Sequence, residues 1–335
     1  MANRLTIPGF VNAHSHAFQR ALRGRTEGGD FWAWRNAMLE LADRQTSERV
    51  RIDYESVYRE LRAAGYTAVG EFHYLGFEQA LAAAEAAEAA GITFVLLYAA
   101  YARGGLDRFR QASTAEYLNQ VENLRGRGIE VGVAPHSVRA CTPNWLAQIG
   151  RYADEHGLVL HVHADEQPRE IEECIEEHGI RPIELLAQHG CLGPRTTVVH
   201  ATHADDAELD LLAQSGSRIC VCPTTEANLG DGYVPVERIL ERGITLCIGS
   251  DSNARIDPLE ELRELEGVGR RSALRRNVID PDALLGIGSR EGARSLGIDA
   301  WPDVEVDLEH PSLAGLPESD TRAALVFGCS ADVFV

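Results

Sequence analysis

Short apolar segments rich in β-branched residues alternate with amphipathic helical segments along most of this 335-residue chain. Fully apolar strands that alternate with helices are typical of a parallel sheet covered by helices. Eight such βα units in about 250 residues favour a closed (β/α)8 barrel of the α/β class over the alternative, an open doubly wound sheet. No Gly-x-Gly-x-x-Gly motif follows the early strands, which removes the usual reason to prefer the open sheet. The predicted strands are Phe10–His14, Tyr66–Phe72, Ile92–Tyr98, Ile129–Ala134, Leu158–His163, Thr196–His200, Arg218–Pro223 and Ile244–Ser250.

The helical segments fill the gaps between these strands, and several end on a glycine that precedes the next strand, as in Ala90-Gly91 and His156-Gly157. The barrel is predicted to occupy residues 8–300, and residues 301–335 together with 1–7 are predicted to form the remnant of a small β-domain. The tail contains strand-like pieces, which we expect to pack outside the barrel, with Leu5–Ile7 as a candidate partner. The predicted helices are Phe77–Ala90, Ala115–Arg127, Asn144–His156, Ala204–Ser215, Val234–Arg242, Pro258–Arg270 and Asp280–Leu296, and the tail pieces are Val304–Leu308, Ala323–Phe327 and Val333–Val335.

The composition excludes several kinds of chemistry. All 32 cationic residues are arginine, so a Schiff-base lysine, a phosphate-binding loop with its lysine, and a metal pair bridged by a carbamylated lysine are excluded. A net charge of −19 without a basic block argues against nucleic acid or an anionic membrane as a partner. No apolar run approaches the ~20 residues of a membrane span, and the first residues lack the apolar stretch of a signal peptide. Seven cysteines without a Cys-x-x-Cys pair predict reduced thiols and a cytoplasmic protein, with Cys220 and Cys222 filling the barrel interior.

Polar residues follow four of the predicted strands, where a barrel of this kind places its active site. His14 and His16 alternate along the first strand and can point together into the barrel mouth. With His163 and Asp251 they form a donor set that suits one divalent ion, most readily Zn²⁺, with an open position for water. Such an ion lowers the pKa of its water towards ~7 and provides hydroxide at neutral pH. Glu166 is the candidate proton shuttle, with the N-terminal cap of the next helix as its alternative role.

The motifs HSH, HVHADE, VVHATH and GSD resemble the amidohydrolase superfamily. The segments PGFVNAHSHAFQRALRG, FWAWRNAM, EFHYL, APHSVRACTP, CPTTEANLGDG and GSDSNARIDPLEELRELE resemble, more specifically, the formimidoylglutamate deiminase family over about residues 5–296. The resemblance implies the same metal ligands, His14, His16, His163 and Asp251, with Glu166 as proton shuttle and with His200 and Asp251 also catalytic. It implies that the substrate is bound by Gln19, Arg35, Tyr74, His136 and Arg139.

The implied substrate has two carboxylates, which arginine can bind through bidentate hydrogen bonds better than lysine could. Competing roles are a surface helix for Arg35 and a packed phenol for Tyr74, while His73 and His203 are interpreted as structural. The sequence departs from the family pattern in its ends, which lack most of the usual β-structure, and in Asp165, where relatives carry a small apolar residue. A carboxylate at position 165 can either shift the pKa of Glu166 or cap a helix, and the sequence leaves both open.

These features predict an enzyme that converts N-formimino-L-glutamate into N-formyl-L-glutamate and ammonia, a step of histidine breakdown, through attack of hydroxide on the formimino carbon. One alternative is a deaminase for another amidine or for a nucleobase, against which the two arginines argue. Another is a metal-binding barrel without activity, against which Glu166 and His200 argue. We expect a small dicarboxylate substrate and a homodimer, and no nucleic acid or membrane partner.

Overall fold

The computed structural model describes residues 3–335 and contains a sheet of eight parallel strands. Within this sheet each strand pairs with the next in chain order. A bridge between Ser15 and Asp251 joins the sheet's first strand, Phe10–Ser15, to the residues that follow its last strand, Leu246–Ile248. The predicted (β/α)8 barrel is confirmed, and the open sheet is wrong because the two edge strands meet. The strands are β1 (Arg4–Pro8), β2 (Phe10–Ser15), β3 (Tyr66–His73), β4 (Thr93–Ala100), β5 (Val131–Pro135), β6 (Leu160–Ala164), β7 (Thr196–His200), β8 (Arg218–Val221), β9 (Leu246–Ile248) and β10 (Asp303–Asp307), of which β2 to β9 form the barrel.

Helices surround the barrel, and two of the predicted glycine ends are visible in the backbone. Gly91 and Gly157 adopt φ values of 68° and 65°, the left-handed conformation that closes a helix before the chain re-enters the sheet. The helices are α1 (Phe31–Asp43), α2 (Ser47–Ala63), α3 (Phe77–Ala90), α4 (Thr114–Arg125), α5 (Pro143–His156), α6 (Pro168–His178), α7 (Pro182–Gln188), α8 (Asp206–Ser215), α9 (Pro223–Leu229), α10 (Val236–Glu241), α11 (Pro258–Ala273), α12 (Pro281–Gly286), α13 (Gly292–Ser295) and α14 (Glu318–Gly328). Short 3₁₀ segments span Ala17–Leu22, Asp107–Phe109 and Ala331–Val333, and a π-helical turn spans Ile287–Glu291.

The two ends of the described chain form a small antiparallel sheet. Strand β1 pairs with β10 from Arg4 opposite Asp307 to Pro8 opposite Asp303, which confirms the predicted partnership of the N-terminal segment with the tail. A bridge between Val306 and Phe334 joins the last residues to the same sheet. The β appendage of the predicted fold class is therefore present as two strands.

Two details of the predicted tail and C-terminal helices differ. The segment Ala323–Phe327 is not a strand but part of α14, which buries Thr321, Leu325 and Val326 on one helical face and packs on α11 and α12. A short apolar run fits a buried helix face as well as a strand, and only tertiary packing separates them. The predicted helix Asp280–Leu296 is divided into α12, the π-helical turn and α13.

The barrel strands and the inner faces of the helices form one large apolar core. A small separate cluster fills the barrel interior beneath its mouth, and Cys220 and Cys222 belong to it, in agreement with their predicted packing role. No helix within residues 3–335 combines the length and the apolar character that a membrane crossing needs.

Candidate active site

Four donor groups converge where β2, β6 and β9 end at the mouth of the barrel. The Nε2 atom of His14 lies 3.2 Å from Nε2 of His16 and 3.1 Å from Nε2 of His163. Asp251 Oδ1 lies 3.4 Å from the Nε2 atom of His16 and 3.6 Å from that of His14. All four side chains are buried. The structure thus brings together all four predicted metal ligands.

The hydrogen bonds behind these rings fix which nitrogen faces the centre. His16 Nδ1 donates to the carbonyl of Phe72 at 2.8 Å, and His163 Nδ1 donates to the carbonyl of His136 at 3.0 Å, because a carbonyl can only accept. The Nε2 atoms of His16 and His163 therefore present lone pairs to the centre, and both lie against His14 Nε2. A single N–H on His14 could satisfy only one of these lone pairs, whereas one cation can bind all three rings. Tetrahedral zinc with Zn–N of about 2.0–2.1 Å places its ligand atoms about 3.3 Å apart, which matches the observed spacings. The donor set fits one divalent ion.

Burial keeps the histidines in their ligating form. It lowers the pKa of His14 to about 3 and also lowers the pKa values of His16 and His163, because the charged imidazolium loses its hydration. Burial by itself would raise the pKa of Asp251, but the neighbouring histidines hold it below its ordinary value. Neutral imidazoles and an ionised carboxylate are the forms that bind a metal ion.

Glu166 and His200 lie on the open side of this donor set. His200 Nε2 is 3.8 Å from Glu166 Oε1 and 3.9 Å from Asp251 Oδ2. Burial raises the pKa of Glu166, while the charges of His200 and Arg139 oppose this shift. Burial would lower the pKa of His200, but the Glu166, Glu226 and Asp251 carboxylates around it raise the value to about 10. A carboxyl whose pKa lies above its usual range accepts a proton more readily than an exposed one, and Glu166 lies where it could pass that proton on.

The mouth of the barrel is a cavity of about 310 Å³ that leads to the donor set. Every predicted site residue except His14 lines it, and His14 lies beneath, in contact with His16 and His163. Gln19 Nε2 donates to the phenol oxygen of Tyr74 at 2.9 Å, which leaves Gln19 Oε1 without a partner among the described residues. The remaining walls are largely aromatic, with Trp32, Trp34 and Tyr101. The cavity therefore combines the predicted binding residues with an apolar lining.

Arginines surround this cavity. Arg139 Nη2 lies 3.5 Å from Glu166 Oε2, and Arg139 Nε lies 3.7 Å from Glu170 Oε1. Arg35 lies on α1 with its guanidinium 6.0 Å from the ring centre of Trp32, and Arg169 of α6 lies over the same ring at 4.5 Å. Because Arg35 lines the cavity, the alternative role as a surface helix arginine does not describe its position.

Asp165 points away from the cavity although it directly precedes Glu166. Its backbone adopts a φ of 55°, and its carboxyl is fully buried near Glu208 and Arg181. Burial and the neighbouring Glu208 carboxylate raise the pKa of Asp165 well above its ordinary value. The sequence left two roles open for Asp165, a shift of the Glu166 pKa or the cap of a helix. The structure shows neither role, because Asp165 caps no helix and its carboxyl belongs to a separate buried acidic cluster.

The sequence predictions missed the carboxylates behind the site. Glu226 Oε1 accepts hydrogen bonds from His200 Nδ1 at 3.2 Å and from the Cys222 amide at 2.9 Å. Glu170 Oε2 accepts from the Glu166 amide at 3.1 Å, and Glu71 Oε1 accepts from the Ala17 amide at 2.8 Å. Each follows the end of a barrel strand or lies near it, and this position is the only signal in the sequence that could have singled them out.

His73 and His203, interpreted as structural, bond to backbone. His73 Nε2 donates to the carbonyl of Gly76 at 3.2 Å, and His203 Nε2 donates to that of Asp231 at 2.7 Å. Neither residue lines the cavity.

Two known proteins resemble this chain over most of its length. Formimidoylglutamate deiminase of Pseudomonas aeruginosa is 38% identical over 300 residues, which cover 81% of this chain and 66% of that protein, so the chain spans just under two thirds of this relative. A 5-methylthioadenosine/S-adenosylhomocysteine deaminase of Haloarcula marismortui is 30% identical over 96% of this chain and 77% of its own length.

Solved structures share the whole architecture. An amidohydrolase from Brucella melitensis, 31% identical, superposes with a TM-score of 0.87 over 98% of this chain and 84% of its own. A zinc-bound adenosine deaminase from Xanthomonas campestris, 23% identical, shares the fold with a TM-score of 0.90 over 99% of this chain and 78% of its own. Residues 5–300, which include the barrel and every site residue described above, match the amidohydrolase family, and the chain therefore belongs to that family.

Proposed function

We propose that this protein is a metal-dependent hydrolase that converts N-formimino-L-glutamate and water into N-formyl-L-glutamate and ammonia. The observation that carries this proposal is the position of Arg139 and Arg35 on the same cavity as the four-donor cluster and Glu166. A substrate with carboxylates at one end and an amidine at the other fits such a cavity. The relative from Pseudomonas aeruginosa, named formimidoylglutamate deiminase, supports the same substrate.

The donor set and Glu166 divide the chemical work. A divalent ion such as zinc, bound by His14, His16, His163 and Asp251, would supply Lewis acidity and lower the pKa of a water molecule towards ~7. Glu166 would accept a proton from the attacking water and deliver it to the departing nitrogen. Asp251 would accept the second proton of this water and return it to the same nitrogen, which then leaves as ammonia, and His200 would hold the attacking oxygen through Nε2.

The arginines select and orient the substrate. With a net charge of −19, the protein attracts a dianion only through local cations. Arg139 and Arg35 form charge-assisted hydrogen bonds to the carboxylates, and the unpartnered Gln19 Oε1 accepts from an N–H of the formimino group. The Tyr74 hydroxyl, which accepts from Gln19 Nε2, can donate to the substrate in place of its long contact with Met38 Sδ. These residues keep the amidine carbon beside the donor set.

We further propose that the site holds one ion, because the chain has no lysine to bridge a pair as carbamate. In this role the protein acts in the cytoplasm, as a homodimer, in the breakdown of histidine. Sedimentation velocity on the purified protein tests the homodimer, and a monomer at micromolar concentration contradicts it.

A nucleoside deaminase is the second candidate, and the aromatic walls of the cavity favour it. Trp32, Tyr74 and Tyr101 could stack on a purine, and the relative from Haloarcula marismortui carries a name of that class. A neutral base, however, gives Arg139 and Arg35 no charge to bind. Ammonia release from N-formimino-L-glutamate, measured beside release from 5-methylthioadenosine and S-adenosylhomocysteine, separates the two candidates.

Replacing Arg139 with Met tests how the substrate is recognised. A charge-assisted hydrogen bond contributes about 1.5–3 kcal/mol, so kcat/KM for N-formimino-L-glutamate should fall by about ten- to two-hundredfold. The variant should also lose the preference for the acid over an analogue in which one carboxylate is amidated. Arg195→Met, an exposed arginine at the opposite end of β7, is the matched control. If wild type and Arg139→Met prefer the acid by the same ratio, whichever carboxylate is masked, Arg139 does not bind the substrate carboxylate.

A further inference from the structure

A second group of metal-binding side chains lies beside the four-donor cluster. An imidazole nitrogen of His200, the sulfur of Cys222 and a carboxylate oxygen of Asp251 all lie within 4.8 Å of one another, and all three residues are buried. Imidazole, thiol and carboxyl groups together are a donor set for Zn²⁺ or Cd²⁺. The proposed reaction does not use Cys222.

Asp251 faces both groups. Its Oδ1 atom lies 3.4 Å from His16 Nε2 and 3.6 Å from His14 Nε2, whereas its Oδ2 atom lies 3.9 Å from His200 Nε2. The two oxygens of one carboxylate therefore point to different sides. A carboxylate in this position can contribute one oxygen to each of two neighbouring ions.

One buried carboxylate orients the other two donors. Glu226 Oε1 accepts from His200 Nδ1 at 3.2 Å and from the Cys222 backbone amide at 2.9 Å. Metal-ligating histidines usually donate their second ring nitrogen to a carboxylate or a backbone carbonyl, as His16 and His163 do here. His200 has the same arrangement, and its Nε2 atom faces Asp251 and Glu166.

We propose that His200, Cys222 and Asp251 form a second, weaker site for a thiophilic divalent cation such as Cd²⁺ or Zn²⁺, and that occupation of this site inhibits the enzyme. Binding replaces the Cys222 S–H bond and the His200 Nε2–H bond with bonds to the metal and releases two protons to solvent. The second site is weaker because two dications repel each other and no carbamylated lysine lies between them. It inhibits because the second ion takes His200 Nε2, the atom that faces the attacking oxygen.

Direct binding experiments test the proposal without substrate. Protein holding one equivalent of Zn²⁺ is titrated with Cd²⁺, and bound cadmium is measured by elemental analysis together with the ultraviolet thiolate-to-cadmium absorbance. The four-donor cluster contains no sulfur, so cadmium that exchanges into it gives no such band. Wild type should take up about one further ion per chain at excess Cd²⁺ and develop the band.

Two cysteine variants locate the ion. Cys222→Ser should lose the band and the second equivalent, while its first equivalent of Zn²⁺ remains. Cys220→Ser, in β8 two residues before Cys222 and equally buried, should behave as wild type. If Cys222→Ser does not fold, as judged by its melting curve, Cys222→Ala takes its place. A band that survives at full strength in the Cys222 variant, or a wild type that binds no second ion at millimolar Cd²⁺, overturns the proposal.

Inhibition is a separate readout, and it alone rests on the proposed function. Excess Cd²⁺ should reduce ammonia release at least tenfold in wild type and Cys220→Ser and by less than twofold in the Cys222 variant. Equal inhibition of all three proteins contradicts the inhibitory role. A protein that binds the second ion but does not act on N-formimino-L-glutamate contradicts the proposed function and leaves the binding site intact.

Discussion

At the scale of single residues, the backbone at the barrel mouth adopts conformations that are uncommon for residues other than glycine. Asp165, His200 and Asp251 have φ values of 55°, 74° and 43°, and each lies at the end of a barrel strand or within three residues after it. Such conformations cost of order 1–3 kcal/mol each and persist only where the surroundings enforce them. Here the Asp251 amide donates to the carbonyl of His14 at 3.0 Å, and the His16 amide donates to the carbonyl of Asp251 at 2.8 Å. These two hydrogen bonds therefore hold the strained backbone of Asp251, and with it the Asp251 carboxylate, against β2.

Glu166 is the residue whose proposed role can be separated most clearly from a structural one. Glu166→Gln keeps the shape of the side chain and all four metal donors but removes the group that carries the proton. Turnover should fall by about 10²–10⁴-fold with the metal content unchanged, as measured by ammonia release and elemental analysis. Glu172→Gln, exposed on α6, serves as the control. Near-normal turnover in Glu166→Gln would mean that the carboxyl only supports the local fold.

Strand periodicity was enough to find the four donor groups, whereas the substrate-binding residues were implied only by the family resemblance: Gln19, Arg35, Tyr74, His136 and Arg139. His14, His16, His163 and Asp251 lie where parallel strands end, and all such ends meet at one face of a barrel. The supporting carboxylates could not be found in this way. Glu226 reaches His200 across 26 positions of sequence, and Glu71 reaches the Ala17 amide across 54. Such pairings depend on the tertiary packing of several elements and leave no local pattern.

At the scale of elements, the site depends on how closely β9 approaches β2. Gly249 follows β9, and a Cβ atom there would lie 2.7 Å from both the Cβ and the carbonyl oxygen of His14. Because the contact is with backbone as well as side chain, a rotamer change cannot relieve it. The strands would have to move apart, and His14 would move with them.

Gly249→Ala should therefore weaken metal binding as well as the fold. Overpacking of this kind costs about 1–3 kcal/mol of unfolding free energy, which denaturant titration of the metal-free protein measures. Metal affinity, measured by competition with a chelator, should fall by about 10–100-fold because His14 is displaced. Gly193→Ala is the control, since a Cβ at that position meets no atom within 4 Å. Unchanged affinity in Gly249→Ala would show that the two strands can separate without moving His14.

The C-terminal elements show where sequence patterns stop being informative. The apolar residues of Ala323–Phe327 are consistent with a strand, yet α14 buries Leu325 and Val326 against α11. The pairing of β1 with β10, by contrast, was predictable because two short β-rich segments remained after the barrel was complete. The segment Ala323–Phe327 could form a strand only if a sheet edge remained free to pair with it, and the sequence pattern does not indicate whether one does.

At the scale of the whole molecule, the small antiparallel appendage and the donor set lie at opposite ends of the barrel. The appendage covers the end at which the strands begin, where the ring of Phe334 packs 5.6 Å from that of Phe10 and close to Gly65. The donor set lies at the end at which the same strands finish. Changes at one end should therefore affect the other only through the stability of the fold.

Phe334→Ala tests this separation. The half-buried ring should contribute about 2 kcal/mol to the unfolding free energy, less than the ~3–5 kcal/mol of a fully buried phenylalanine. We expect a lower melting temperature, with kcat and the metal content of the folded protein unchanged, and Phe334→Leu should recover most of the lost stability. A lower kcat in folded Phe334→Ala would show that the two ends are coupled.

The metal donors and the arginines of the site lie on different kinds of element, so mutation can change them independently. The donors belong to strand ends that the closed sheet holds in place, whereas Arg35 belongs to a helix outside the sheet and Arg139 to the connection after β5. Insertions, deletions or exchanges in these outer segments can alter which molecule is recognised while the hydrolytic centre stays as it is. The fold is in this sense evolvable: its selectivity and its chemistry can be inherited separately, and a laboratory search for new substrates should begin with α1 and the connection after β5.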